Sequence, residues 1–125
     1  EPKIFTDEIT APKYLNKDQR DRFNTLSRQL QKIKIMGETD CETLARYVVA
    51  EDFYEQTTKR VRRVMQQSEW DPIGLESLSK LQDRWCKQAS TLARDLGMTI
   101  SSRCKLVVPV NEEPEKVNKF ARFTS

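Results

Sequence analysis

"DPIGLESLSKLQDRWCKQASTLARDLG", residues 71–97, reads from end to end as one helix. Asp71 is a capping residue, and Pro72 follows at the one helical position where a missing amide hydrogen costs nothing. Leu75, Leu78, Leu81, Trp85, Ala89, Leu92 and Leu96 then recur at steps of three and four, which stacks them into one seam. Gly97 closes the element. A seam this long needs an equally long partner. Upstream, Thr39 or Asp40 caps a run free of glycine and proline to about Gln67, with Leu44, Tyr47, Val48, Tyr54, Val61 and Met65 on its apolar side. Such a helix reaches roughly 40 Å, whereas a compact globule of this chain length is about 36 Å across. An elongated, all-α subunit follows. Val49 and Phe53 fall off the main stripe, so something else should cover them.

Outward from this pair, Asn16 is an N-cap for a first helix carrying Phe23, Leu26, Leu30 and Ile33, and Gly37 is expected to supply its left-handed ending. Residues 1–14 hold two prolines and no helical period, so they read as an extended arm. After Gly97, Thr99 recaps a short fourth helix from Ile100 to Leu106. The final "NEEPEKVNKFARFTS" can form a small amphipathic helix, acidic first and basic last, as the helix dipole favours. The expected organisation is an arm over 1–14, a helical body over 15–108 and a tail over 109–125.

Composition removes most chemistry. The 125 residues contain no histidine, which excludes imidazole zinc sites, Ser-His-Asp triads and histidine acid-base catalysis. Three cysteines, Cys41, Cys86 and Cys104, are odd in number and widely spaced, so reduced thiols are expected. The acidic residues fall among lysines and arginines on helix surfaces, which reads as solvated faces. No metal, cofactor or small-molecule substrate is implied, and the chain is expected not to be an enzyme. The longest apolar runs, such as "LVVPV" from Leu106 to Val110, fall far below the roughly 18 residues of a membrane span, and no cleavable signal pattern opens the sequence. A cytosolic protein is the expectation.

Charge is informative through its distribution. The net value is only +3. From Lys17 to Lys34, six cations (Lys17, Arg20, Arg22, Arg28, Lys32, Lys34) face Asp18 and Asp21, a local +4; from Glu38 to Glu55, six acids outweigh Arg46, a local −5. "KRVRR" over 59–63 returns +4 through Lys59, Arg60, Arg62 and Arg63, and Arg103 with Lys105 adds +2. A fold that gathers the first helix, "KRVRR" and "SRCK" on one side would present phosphates with an electropositive face. The plainer alternative is that these cations only solvate the surface or pair with the acids of the second helix. "IKIMGETDCETLA" could also be the turn of a helix-turn-helix, since a glycine between two helices suits that geometry.

Three stretches in this order, "APKYLNKDQRDRFNTL", "IMGETDCETLARYVVAEDFYEQTTKRV" and "DLGMTISSRCKL", together make the chain resemble the small terminase subunit of tailed double-stranded DNA bacteriophages. The resemblance covers roughly residues 11–106. It departs where the family often has a glycine-rich insertion and an Asn-Pro, since "QQSEWDPIGLES" is short and uses Asp71-Pro72. What the resemblance implies is a non-enzymatic subunit that assembles into a ring, recognises viral double-stranded DNA and hands it to the large terminase subunit in the host cytoplasm. The large subunit holds the ATPase motor and nuclease. In agreement, there is no GxxxxGK[ST] phosphate loop and no metal-ligand cluster in the sequence.

On that implication, the expected DNA contacts are Lys17, Arg20, Arg28, Lys32, Lys34, Lys59, Arg60, Arg62, Arg63, Arg103 and Lys105. Val49, Phe53, Trp85 and Arg103 are expected at the contact with a sister subunit, although Trp85 could equally belong to the subunit's own core. Ser101 and Ser102 are expected to cap backbone amides. Val117, Phe120 and Phe123 are the expected docking residues for the large subunit. The rival reading is a helical regulatory or scaffolding module that never touches DNA.

Overall fold

In a computed structural model, residues 9–98 are described, apart from 35, 38 and 39. The chain forms α1 (Lys17–Lys32), α2 (Cys41–Met65) and α3 (Pro72–Asp95), with no strand among the described residues. The arm before residue 9, the short helix expected after Thr99 and the whole tail lie outside them.

α1 begins where its capping chemistry dictates. The Asn16 side chain accepts from the Gln19 amide at 2.8 Å, and Gln19 Oε1 accepts from the Asn16 amide at 3.1 Å. This reciprocal capping box satisfies two amides that the first turn would otherwise leave open. Gln19 also donates through Nε2 to Asp52 of α2 at 2.7 Å, so the same side chain caps one helix and pins it to the next. α3 opens with Asp71 accepting from the amides of Ile73 and Gly74, and with Pro72 in its first turn. Its end is a Schellman closure: Gly97 takes φ 79°, its amide donates to Arg94, and the Met98 amide donates to Ala93.

The end of α1 differs from expectation. α1 ends at Lys32, with the Ile33 amide making the last helical bond to the Gln29 carbonyl, and the left-handed residue is Lys34 at φ 61°, not Gly37. Ile33, expected on the core face, is therefore carried off the last turn and is 45% exposed. The Gly37 amide instead donates to the Asp40 carboxylate at 3.1 Å. That engagement turns Asp40 back into the linker, and it makes no side-chain cap bond to α2.

Phe23 and Leu30 from α1 meet Leu44, Ala45 and Val48 from α2, all with no exposed surface. Around them pack Ala50 of α2, Ala89 and Ala93 of α3, and Leu96 and Met98 after α3. Small residues at the α2/α3 contact let the two backbones approach closely. Ala11 and Leu15 are also buried, so the last part of the arm belongs to the core.

α2 and α3, about 38 Å and 36 Å long at 1.5 Å per residue, outreach α1. Where α1 is absent the apolar seam is only half covered. Leu75 and Leu78 are half-buried, while Phe53, Leu81, Met65 and Ile73 are exposed. The stripe expected on α2 thus divides: Leu44, Tyr47 and Val48 reach the core, Tyr54 and Val61 are half-buried, and Met65 faces water.

The two glycines give opposite expectations. Gly97→Ala forces a side chain into left-handed backbone and should cost about 1 kcal/mol. Gly37→Ala should cost little by comparison, because Gly37 is not among the positive-φ residues and its amide bond to Asp40 is kept. Urea denaturation of the two variants checks the contrast.

Candidate nucleic-acid interface

α1 turns its buried face, Phe23, Leu26, Ser27 and Leu30, toward the core, which leaves Arg20, Asn24 and Arg28 on another line at steps of four. Residues four apart on a helix stack on one side. The arm runs alongside this line, and between them lies a cleft of about 520 Å³ lined by Ile9, Thr10, Ala11, Lys13, Arg20, Asn24 and Arg28. Its lining contains three cations and no acid. Arg20 is partly anchored, because one of its guanidinium nitrogens donates to the Leu15 carbonyl at 3.0 Å. That bond holds the guanidinium at the cleft and joins it to the turn that brings the arm into α1.

The arm is itself fastened to α2. The Tyr14 hydroxyl donates to Glu42 at 3.3 Å, and Cys41 Sγ lies 3.4 Å from the Thr10 carbonyl. Partial burial of the phenol, followed by the adjacent Glu42 carboxylate, raises the Tyr14 pKa above the usual tyrosine value. The hydroxyl therefore stays protonated and remains a donor to Glu42 through neutral pH. Together these bonds hold the arm, and with it the cleft residues Thr10, Ala11 and Lys13, in place beside α1.

The expected cations divide into groups. Arg20 and Arg28 line the cleft, joined by Lys13 and Asn24, which the sequence reading did not single out. Their signal was present in the spacing of residues 20, 24 and 28, but the approach of Lys13 depends on how the arm packs. Lys17 is exposed and pairs with Asp21 at 3.3 Å. Arg22 points the other way, 4.0 Å from Glu51 of α2. Lys32 and Lys34 are exposed at the end of α1.

Lys59, Arg60, Arg62 and Arg63 lie on the second half of α2, and all four are exposed. None lines the cleft. Arg60 stands eight positions past Asp52, where Gln19 marks the start of α1, or about 12 Å along the helix axis. Among the described residues, none of these four, nor Lys13 or Arg28, has an acidic partner within 4 Å. Arg103 and Lys105 lie outside the described residues.

Of the residues expected at a subunit contact, Val49 and Trp85 line a second, mainly apolar groove of about 370 Å³ with Tyr14, Arg46, Gln88, Thr91 and Leu92. Phe53 stands beside it, its ring edge-on to Trp85 at 4.9 Å and 70°. Val49 and Trp85 also pack on the core, so the groove joins the subunit interior to its surface. Among the described residues, no group of three or more His, Cys, Asp or Glu side chains could hold a metal ion, and no helix is long and apolar enough to cross a membrane. Val117, Phe120 and Phe123 lie outside the described residues.

Residues 20–113 match the family described as phage terminase, small subunit. Neither a curated protein nor a solved structure matches the chain.

The edge-on contact between Phe53 and Trp85 should be worth about 0.5–1.5 kcal/mol beyond the area it covers. A double-mutant cycle with Phe53→Leu and Trp85→Leu, read by chemical denaturation, should return a coupling in that range; additive losses would show that the two rings act independently.

Proposed function

Because the chain belongs to the phage terminase small-subunit family and so serves phage DNA packaging, we propose that it is the oligomeric component that recognises viral duplex DNA and delivers it to the large terminase subunit. The observation that carries this reading is the cleft between the arm and α1, where Lys13, Arg20 and Arg28 converge with no acid in the lining. Arg20 and Arg28 lie eight positions apart, about 12 Å along the helix. That span lets the two guanidinium groups take separate phosphates of one strand, with Asn24 between them as a neutral hydrogen-bonding group. Guanidinium groups suit this task because they stay charged and present paired donors to phosphate oxygens. Lys59, Arg60, Arg62 and Arg63 supply a second set of contacts from α2.

One subunit offers few phosphate contacts, and assembly multiplies them. The groove of Val49 and Trp85, with Phe53 beside it, is read as the place where a sister copy packs and closes a ring. Covering that half-buried apolar surface would favour association, since exposed apolar patches of this kind mark interaction sites. Repetition of the cleft around the ring then raises avidity through effective concentration. The tail residues Val117, Phe120 and Phe123 are assigned to the large subunit. A helix-turn-helix mode is a weaker description of α1 and α2, because residues 33–40 connect them where that motif uses a turn of three or four residues.

Duplex binding measured against salt tests the proposal. Affinity should fall steeply as salt rises, with the logarithmic slope reduced by about 0.9 for each phosphate contact removed. The pair Arg20→Glu and Arg28→Glu should lower affinity more than tenfold at low salt and leave the oligomer mass by light scattering unchanged. Arg62→Glu with Arg63→Glu should act in the same direction. Binding that is undetectable at low salt, or indifferent to salt, would overturn the DNA reading, and a stable monomer at working concentration would overturn the ring.

A further inference from the structure

We propose that the acidic segment Asn111–Glu115 of this chain docks on the Lys59–Arg63 face of its own α2 and competes there with DNA phosphates. The inference rests on reading that face as a DNA contact, but its own evidence is separate. Lys59, Arg60, Arg62 and Arg63 are all exposed, and among the described residues none of them forms an ion pair. Three acids near this level of the α2/α3 pair are engaged elsewhere: Asp52 accepts from Gln19 and Gln56, Glu76 pairs with Lys80, and Asp83 pairs with Lys87 at 2.9 Å; Glu55, one turn before Lys59, is exposed and lies more than 4 Å from any of the four cations. Four like charges within five residues repel one another, so this face gains from any anion that reaches it.

The sequence holds one acidic stretch suited to the task. Between Lys105 and Lys116 there is no cation, while Glu112, Glu113 and Glu115 follow one another closely. The other dense acidic run, at the start of α2, is engaged locally through Asp40 to Gly37 and Glu42 to Tyr14. Chain length permits the contact. Gln82 of α3 donates to Thr58 of α2 at 2.8 Å, which sets Lys59 level with about residue 81. From Met98 back to that level is about 26 Å of helix, and the fourteen residues from Met98 to Glu112 can span up to about 46–50 Å when extended. Glu112 can therefore reach Lys59 within one copy, with slack.

Carboxylates at this face would occupy the donors that a phosphate needs, so the segment sets how tightly duplex DNA is held without contributing to assembly. Zero-length carbodiimide coupling of the full chain, read by mass spectrometry at low salt, tests this directly. Lys59 should couple to Glu112, Glu113 or Glu115, saturating duplex DNA should suppress the product, and the Lys87 to Asp83 coupling within α3 serves as the internal control. The variant Glu112→Gln, Glu113→Gln, Glu115→Gln should bind duplex three- to tenfold more tightly at low salt. Control coupling without any Lys59 product, glutamates coupled to Lys13 or Lys17 instead, or unchanged affinity in the triple variant would each overturn the proposal. A chain that gives the Lys59 product but binds no duplex retains the docking and refutes the DNA reading, so the two fail separately.

Discussion

The structure depends on a mismatch of lengths: a helix of 16 residues packs on one of 25, which pairs with another of 24. Only where α1 packs on α2, with Ala89, Ala93, Leu96 and Met98 joining the same core, do Phe23, Leu30, Leu44 and Val48 lose all contact with water. Gln19 fixes the point at which that cover begins, because it completes the cap of α1 and bonds Asp52 of α2 in the same position. Beyond it two helices must bury their seams against each other alone. Two cylinders in contact can each hide only a narrow stripe, and Phe53, Leu81, Met65 and Ile73 remain outside it.

Signals local to the chain were legible in the sequence, and those that depend on tertiary approach were not. Asn16, Asp71 and Gly97 each announce a helix terminus by chemistry confined to a few residues, and the structure uses all three as read. Gly37 carried the same kind of signal and misled. The turn after α1 is set by how Met36, fully buried, must drop into the core, and the chain reverses at Lys34 to deliver it. The leucine seam of α3 correctly gave a helix and its packing face. Its spacing alone could not tell Ala89 and Ala93, buried beside α2, from Leu81, which has the same periodicity and faces water. Burial along a seam depends on what lies across from it, and that information sits in the length of α1.

The candidate site divides the same way. Arg20 and Arg28 were visible as cations on a helix whose opposite face is apolar, and Asn24 follows from their spacing. Lys13 joins them only because Ala11 and Leu15 bury and draw the arm along α1. Charge counting over the segment could not separate Arg22, which turns to Glu51, from Arg28, which has no such partner among the described residues. One acid of α2, Glu51, thus takes Arg22 away from the cleft, and Asp21 of α1 engages Lys17.

Apolar exposure and unpaired charge are therefore two results of one geometry. A third helix long enough to cover the full α2/α3 pair would bury Phe53 and Leu81 and would also stand beside the second half of α2, where its own side chains could neutralise Lys59 to Arg63. Its absence leaves both undone. Association of copies can remedy the apolar deficit, since burial scales with the area removed from water. Each added copy also repeats the same set of cations, for which its own acidic segment and DNA phosphates would compete. On the proposed reading, assembly thus increases the demand for an anion with each subunit that joins, and a polyanion that meets many subunits at once satisfies it better than separate small ions, because each phosphate bound holds the next within reach.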